Sequence, residues 1–175
     1  MMPLWDKQRT AGLVRRLPWL IAGAKQLYAI TRGQFTCGVV GVVFDAAGAV
    51  LIVEHVYHPR TPWGLPGGWV DHDEHPAHAV RRELREELSL AAEVGPVVAL
   101  EKTQRAHLDY AFLCRVGGPV GTLSDELLGY RWAPPDALPA LTPFHHWAIQ
   151  CARRIDAHGM WEAGKPWPSS PFPAY

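Results

Sequence analysis

Apolar residues recur at three- and four-residue steps through residues 8–30, in Leu13, Leu17, Leu20, Ile21, Ala24, Leu27 and Tyr28. That period predicts an amphipathic helix. Pro18 interrupts it and either kinks the helix or marks its true start. Arg15 and Arg16 precede the short apolar run, but the run contains a proline, so we expect a helix packed on the core or on a second subunit rather than a signal peptide. From Phe35 the period changes. Residues 35–44 are rich in Val and Gly and predict a buried strand, 45–48 a turn, and 49–56 a second strand, so the pair reads as a hairpin. Residues 58–62, with Pro59 and Pro62, predict a polar loop. Residues 63–68 predict a short strand running into two glycines. Residues 76–88 predict a helix, with Pro76 in its favoured first turn. Strands are expected at 94–103, 108–116 and 130–133, and a closing helix at 144–155. This order predicts one α+β domain over 35–155, preceded by a helical extension (1–34) and followed by a Pro/Trp-rich tail (156–175).

Composition narrows the classes. A chain of 175 residues with 48% hydrophobic and 19% charged residues can bury a core and is not a disordered chain. Seventeen basic residues balance seventeen acidic ones, which removes the net basic field expected of a nucleic-acid or acidic-membrane partner. No apolar run approaches the ~20 residues of a membrane span. Cys37, Cys114 and Cys151 are odd in number, far apart and form no CxxC pair. Neither a disulfide framework nor a zinc site is indicated, and a reducing cytoplasm is the expected location.

The candidate chemistry lies at residues 68–90. Glu83, Glu86 and Glu87 stand at i, i+3 and i+4, which puts three carboxylates on one helix surface in a sector roughly 100° wide. Ala77, Val80, Leu84 and Leu88 form a separate apolar stripe, so the helix can bury one side and hold its acids at the margin of the core. Like charges so close repel. Either Arg81, Arg82 and Arg85 pair with them on a solvated face, or divalent cations sit among them. The loop ahead of the helix favours cations. Gly67 and Gly68 allow backbone to approach a ligand or aim carbonyls at a metal, and Glu74 can fold back toward the acids. Hard oxygen donors in this number suit Mg²⁺ or Mn²⁺, which commonly takes substrate phosphates as further ligands. The chemistry implied is hydrolysis of a phosphoanhydride.

The stretch resembles the Nudix box, Gly-x5-Glu-x7-Arg-Glu-U-x-Glu-Glu-x-Gly-U with U a bulky aliphatic residue. Gly68, Glu74, Arg82, Glu83, Leu84, Glu86, Glu87 and Leu90 match in register. Ser89 replaces the second glycine, at the helix C-terminus where glycine serves a left-handed cap, and should strain or reshape the exit turn. The resemblance implies an α/β/α sandwich with a mixed central sheet. It also implies a metal-dependent hydrolase of a nucleoside diphosphate linked to another moiety, such as a nucleotide sugar or a nucleoside triphosphate. By motif position Glu83, Glu86 and Glu87 would be metal ligands. Arg82 would hold a box glutamate, Glu74 would support or join the metal shell, and Gly68 or Gly67 would offer a carbonyl. Glu126, in Ser124-Asp125-Glu126 ahead of Tyr130-Arg131-Trp132, is the candidate fourth carboxylate or general base. Two other readings compete: a non-catalytic nucleotide sensor on this fold, and a pyrophosphohydrolase of RNA ends. Substrate markers of known subfamilies are absent downstream of the box, around residues 102–107. A small nucleotide is the expected partner, a nucleic acid or membrane is not, and a homodimer is left open.

Weaker candidates surround the box. His55, His58, His72, His75 and His78 read as loop and helix-surface histidines, each with a lesser prospect of touching phosphate or metal. His75 occupies the helix N-cap, where Ser or Thr would serve better. His145 and His146 read as structural. Trp63 is expected in the core, while Trp69, beside the glycines, could stack on a base or sugar. Tyr57, Arg60, Arg105 and His107 are further candidates for phosphate or base.

Overall fold

Continuous apolar runs that can bury both faces belong at the centre of a sheet. The computed structural model describes residues 35–58, 60–157 and 161, with Trp19 and Gly23 besides. In it the strand β1, Thr36–Val43, is buried along its last six residues. Its neighbours are β4 (Gly67–Trp69), antiparallel, and β6 (His107–Gly117), parallel; β6 pairs in turn with β5 (Ala91–Gln104). The mixed sheet runs β4-β1-β6-β5. A second, antiparallel sheet runs β3-β2-β7, from β2 (Val50–His55), β3 (Trp63–Gly64) and β7 (Leu127–Ala133). Two helices flank these sheets, α1 at Pro76–Leu88 and α2 at Pro143–Ala157.

Alternation along β1 divides the core. Val39 and Val43 cluster with Ala79, Val80, Leu84 and Leu88 of α1. Val40 and Val42 cluster with Phe144, Ala148 and Ile149 of α2. The helices therefore cover opposite faces, and each buried Val, Leu, Ile or Phe side chain among these contributes roughly 1.5–3 kcal/mol. This is the α+β architecture expected.

The hairpin expected from residues 35–56 forms only at its turn, where the Asp45 amide donates to the Ala49 carbonyl at 2.9 Å and Phe44 bridges Val50. Beyond it β1 and β2 enter different sheets. β1 pairs with β6 along its whole length and with β4 at Gly38–Val40, while β2 pairs with β7 and with β3 at Val53–Glu54, so the two strands diverge into separate sheets beyond the turn. The single strand expected at 63–68 is also two. Pro66 has no N–H for a ladder, and at Leu65–Pro66 the chain passes from the second sheet into the first. β5 tolerates Pro96 because it is an edge strand whose register slips between Val94 and Val97.

The ends of α1 follow local chemistry. His75 does serve as N-cap, its Nδ1 accepting from the Ala77 amide at 3.2 Å. Ser89 caps the other end in the left-handed region (φ 55°, ψ 31°), where glycine would avoid roughly 1–2 kcal/mol of strain. The exit turn is strained rather than reshaped. Most of the expected helix at 8–30 and of the tail lies outside the described residues. Trp161 is buried against Gly95, with the Arg115 guanidinium 4.1 Å from its ring centroid. Among the described residues no helix is long and apolar enough to cross a membrane.

His145, in the first turn of α2, accepts from the Leu65 amide through Nδ1 at 3.4 Å. Burial pushes its pKa down to about 4, with His55, His146 and His58 adding to the fall and Asp109 opposing it. The folded protein thus binds fewer protons here than the unfolded chain between pH 6.5 and 4. Its contribution is complete above 6.5 and is lost as pH falls toward 4, by at most about 3 kcal/mol. Urea unfolding across this window should show His145→Asn with a shallower acid loss than the parent. Parallel curves would remove His145 as the cause.

Candidate active site

The site forms where α1 crosses β4. Two glycines permit the approach. Gly67 has φ 151° and lies against the backbone of Val39, where a Cβ would collide. A Cβ on Gly68 would stand 2.5 Å from Glu83 Oε1, so the Glu83 carboxylate rests directly on that residue.

Arg82 is the hub. Its Nε and Nη2 donate to the two oxygens of Glu74 at 3.1 and 2.9 Å, a bidentate pair. Its Nη1 donates to Glu83 Oε1 at 2.8 Å and to Glu86 Oε2 at 3.3 Å, and Nη2 also reaches the Trp69 carbonyl at 2.9 Å. The guanidinium pKa is raised, first by the Glu74 hydrogen bonds, and that of Glu74 is lowered, first by Arg82. Glu74 also accepts from the Asp71 amide at 3.2 Å.

Glu87, expected at the margin of the core, is buried at 4% exposure. Its Oε2 accepts from the Gly67 amide at 2.9 Å. Burial pushes its pKa up to about 8, and the charges of Glu83 and Glu126 add to the rise. Burial also raises the Glu83 pKa against the pull of Arg82, with Glu86 and Glu126 adding to the rise. Glu126 is therefore felt by both box acids, although it is distant in sequence. Glu86 keeps about half of its side chain exposed.

These residues supply oxygen donors only, and their mutual repulsion is what a divalent cation would relieve. Among the described residues no three His, Cys, Asp or Glu side chains are grouped to hold a metal as they stand. Arg82 draws Glu83 and Glu86 to itself, so a cation would compete with the guanidinium for them. The donor set fits a hard cation by chemistry and by charge.

Strand alternation separates Trp69 from the acids. Gly68 pairs with Val39 on the α1 side, and Trp69 pairs with Gly38 on the other. Trp69 is 62% exposed, and its ring centroid lies 4.8 Å from that of His107. Asp109, opposite Gly38, bonds His107 Nε2 at 3.1 Å through Oδ1 and accepts from the Thr103 hydroxyl through Oδ2. His107 Nδ1 meets Thr36 Oγ1 at 2.7 Å. Asp109 was not among the sequence candidates. Its signal was the alternation of β6, where His107 and Asp109 precede Ala111 and Leu113 on one face.

Other candidates are dispersed. His72 and Tyr57 are turned to solvent. Arg60 and Arg105 are also exposed. His55 contacts His58 edge-on at 5.2 Å, and His75 lies 5.6 Å from His78. Trp63 packs on the core with Arg131 4.4 Å above its ring.

A family model described as NUDIX domain matches residues 35–155. A MutT-like protein of Streptomyces ambofaciens is 33% identical over 99 residues, 56% of this chain and 63% of that protein. The 8-oxo-dGDP phosphatase NUDT18 of Mus musculus is 30% identical over 121 residues, 66% of this chain and 38% of that protein. The chain thus spans less than two thirds of either relative. An ADP-ribose pyrophosphatase from Streptococcus suis shares the fold at TM-score 0.58 and 27% identity, over 71% of this chain and 92% of that one.

Arg82→Met leaves Glu74, Glu83 and Glu86 without their shared cation. In metal-free protein near neutral pH it should cost roughly 1–3 kcal/mol in urea unfolding. Glu74 has a lowered folded pKa, so its share is present above 4.5 and is lost as pH falls through the folded value. The cost should therefore shrink in acid. An equal cost at both pH values would assign it to packing instead.

Proposed function

The chain belongs to the Nudix family, and from that premise we propose that it hydrolyses a phosphoanhydride bond in a nucleoside diphosphate linked to another moiety, a nucleotide sugar or a nucleoside triphosphate, with Mg²⁺ or Mn²⁺. The observation that carries this reading is the seating of the Glu83 carboxylate against Gly68 and of Glu87 on the Gly67 amide, with the charge of Glu126 raising the pKa of both acids. The names of the relatives support the substrate class, since they include a phosphatase and a pyrophosphatase of nucleotides.

In this reading Glu83, Glu86 and Glu87 hold the cation, with the Gly68 carbonyl as a backbone ligand. When bound, the cation neutralises phosphate charge and acidifies a water. Glu126 is the carboxylate we assign to receive the proton of the attacking water. Arg82 and Glu74 position the box acids. Arg82 keeps Glu83 turned toward Gly68, and the Gly67 amide aims Glu87. Trp69 offers an exposed ring for a base or sugar, on the face that also carries His107 and Asp109.

A panel of nucleotides with Mn²⁺, read by product identity, should yield a nucleoside monophosphate and phosphate, pyrophosphate or a phosphorylated remainder. Glu87→Gln should lower kcat at least about a hundredfold. It should not destabilise the metal-free protein above pH 8, where the native carboxylate is charged in a buried site. Trp69→Ala should raise KM several-fold with little change in kcat. Folded protein with bound Mn²⁺ and no turnover on any nucleotide would overturn the reading, as would full activity in Glu87→Gln.

A further inference from the structure

The segment between β6 and β7 carries Glu126 and is bonded to the exit of α1. The Gly121 amide donates to the Leu88 carbonyl at 2.9 Å, and the Ser124 amide to the Glu87 carbonyl at 3.1 Å. The Leu127 amide then closes onto Ser124 at 3.2 Å, and the Val56 amide donates to the Glu126 carbonyl at 2.9 Å. One side chain adds to this stitching. Ser89 Oγ donates to the Thr122 carbonyl at 2.9 Å.

Ser89 stands where the box pattern has glycine, in a left-handed conformation that disfavours a side chain. Its Cβ also needs space. A Cβ built on Gly121 would lie 2.8 Å from Ser89 Cβ, so the side chain gained at 89 fits only because none is present at 121. The strained position is thus matched by a small residue across from it and by a hydroxyl that bonds the loop. We propose that Ser89 is a positioning residue that fixes the 121–126 segment to the end of α1 and so sets Glu126 against Glu83 and Glu87. The inference rests on the assignment of Glu126 to the reacting set.

Two measurements test it. The first uses metal-free protein and no substrate. In Ser89→Gly, which relieves the backbone strain and removes the hydroxyl, amide exchange at Gly121 and Ser124 should quicken about tenfold while the middle of α1 is unchanged. The second is a cycle on kcat. Ser89→Gly should lower kcat about fivefold in the parent, the effect of one lost hydrogen bond, with KM unchanged. In a Glu126→Gln background it should have no further effect, because its partner in catalysis is already gone. A general loosening of the fold would instead lower kcat by the same factor in both backgrounds. Gly121→Ala should impair the parent and be relieved by Ser89→Gly, since only two side chains together collide. Unchanged exchange at Gly121 and Ser124, or equal factors in the two backgrounds, overturns the proposal. If Glu126→Gln keeps full activity while Glu87→Gln is inactive, the hydrolase reading stands and the role given to Ser89 falls.

Discussion

One guanidinium makes the acidic helix tenable. Arg82 donates to Glu74, Glu83 and Glu86 and to the Trp69 carbonyl, so a single cation balances carboxylates that would otherwise repel. Arginine suits this task because its donors fan out in a plane and its charge does not titrate. Lysine would supply the charge without the fork. The same contacts tie three pieces of chain together: the β4 carbonyl, the loop acid Glu74 and the helix itself. Glu87 is outside this arrangement. It is buried, bonded to the Gly67 amide, and raised to a pKa of about 8. One part of the cluster is therefore neutralised internally, and the other holds a proton or requires an external cation.

That division depends on where the backbone crosses between sheets. Trp63 and Gly64 belong to the second sheet, while Gly67, Gly68 and Trp69 belong to the first. The crossing at Leu65–Pro66 brings the two glycines under α1. Leu65 is fully buried, and its amide is bonded to His145 of α2. The position of the glycines is thus fixed from both faces of the fold, by α1 through Glu83 and Glu87 and by α2 through His145.

Sequence periodicity located most elements because their signals are local. Pro76 and the three- to four-residue apolar spacing defined α1 to the residue. The spacing of Glu83, Glu86 and Glu87 identified the candidate chemistry, since helical geometry alone makes those residues neighbours. What was not legible depended on contacts between distant segments. The expected hairpin at 35–56 stops at its turn because strand pairing is decided by competing partners, and local turn residues at 45–48 cannot reveal that β1 pairs with β6 and β4 while β2 pairs with β7 and β3. The burial of Glu87 was hidden for a related reason. A helical wheel gives its direction but not the depth of what covers it. Asp109 escaped notice because its setting is made by Thr103, His107 and Gly38 from three strands.

Alternation along β4 adds a functional consequence. Neighbouring side chains on a strand point to opposite faces. Gly68 faces α1 and carries the Glu83 carboxylate, whereas Trp69 faces the other way beside His107 and Asp109. The strand thus has an acid-bearing side and an aromatic side one residue apart, linked by the Trp69 carbonyl that Arg82 holds. Changes at Trp69 or Asp109 would then leave the acid cluster in place. Changes at Gly68 cannot do so, because any side chain there displaces Glu83. In the proposed reading, substrate preference would diverge by substitution on one face of β4 and β6 while α1 keeps the acids.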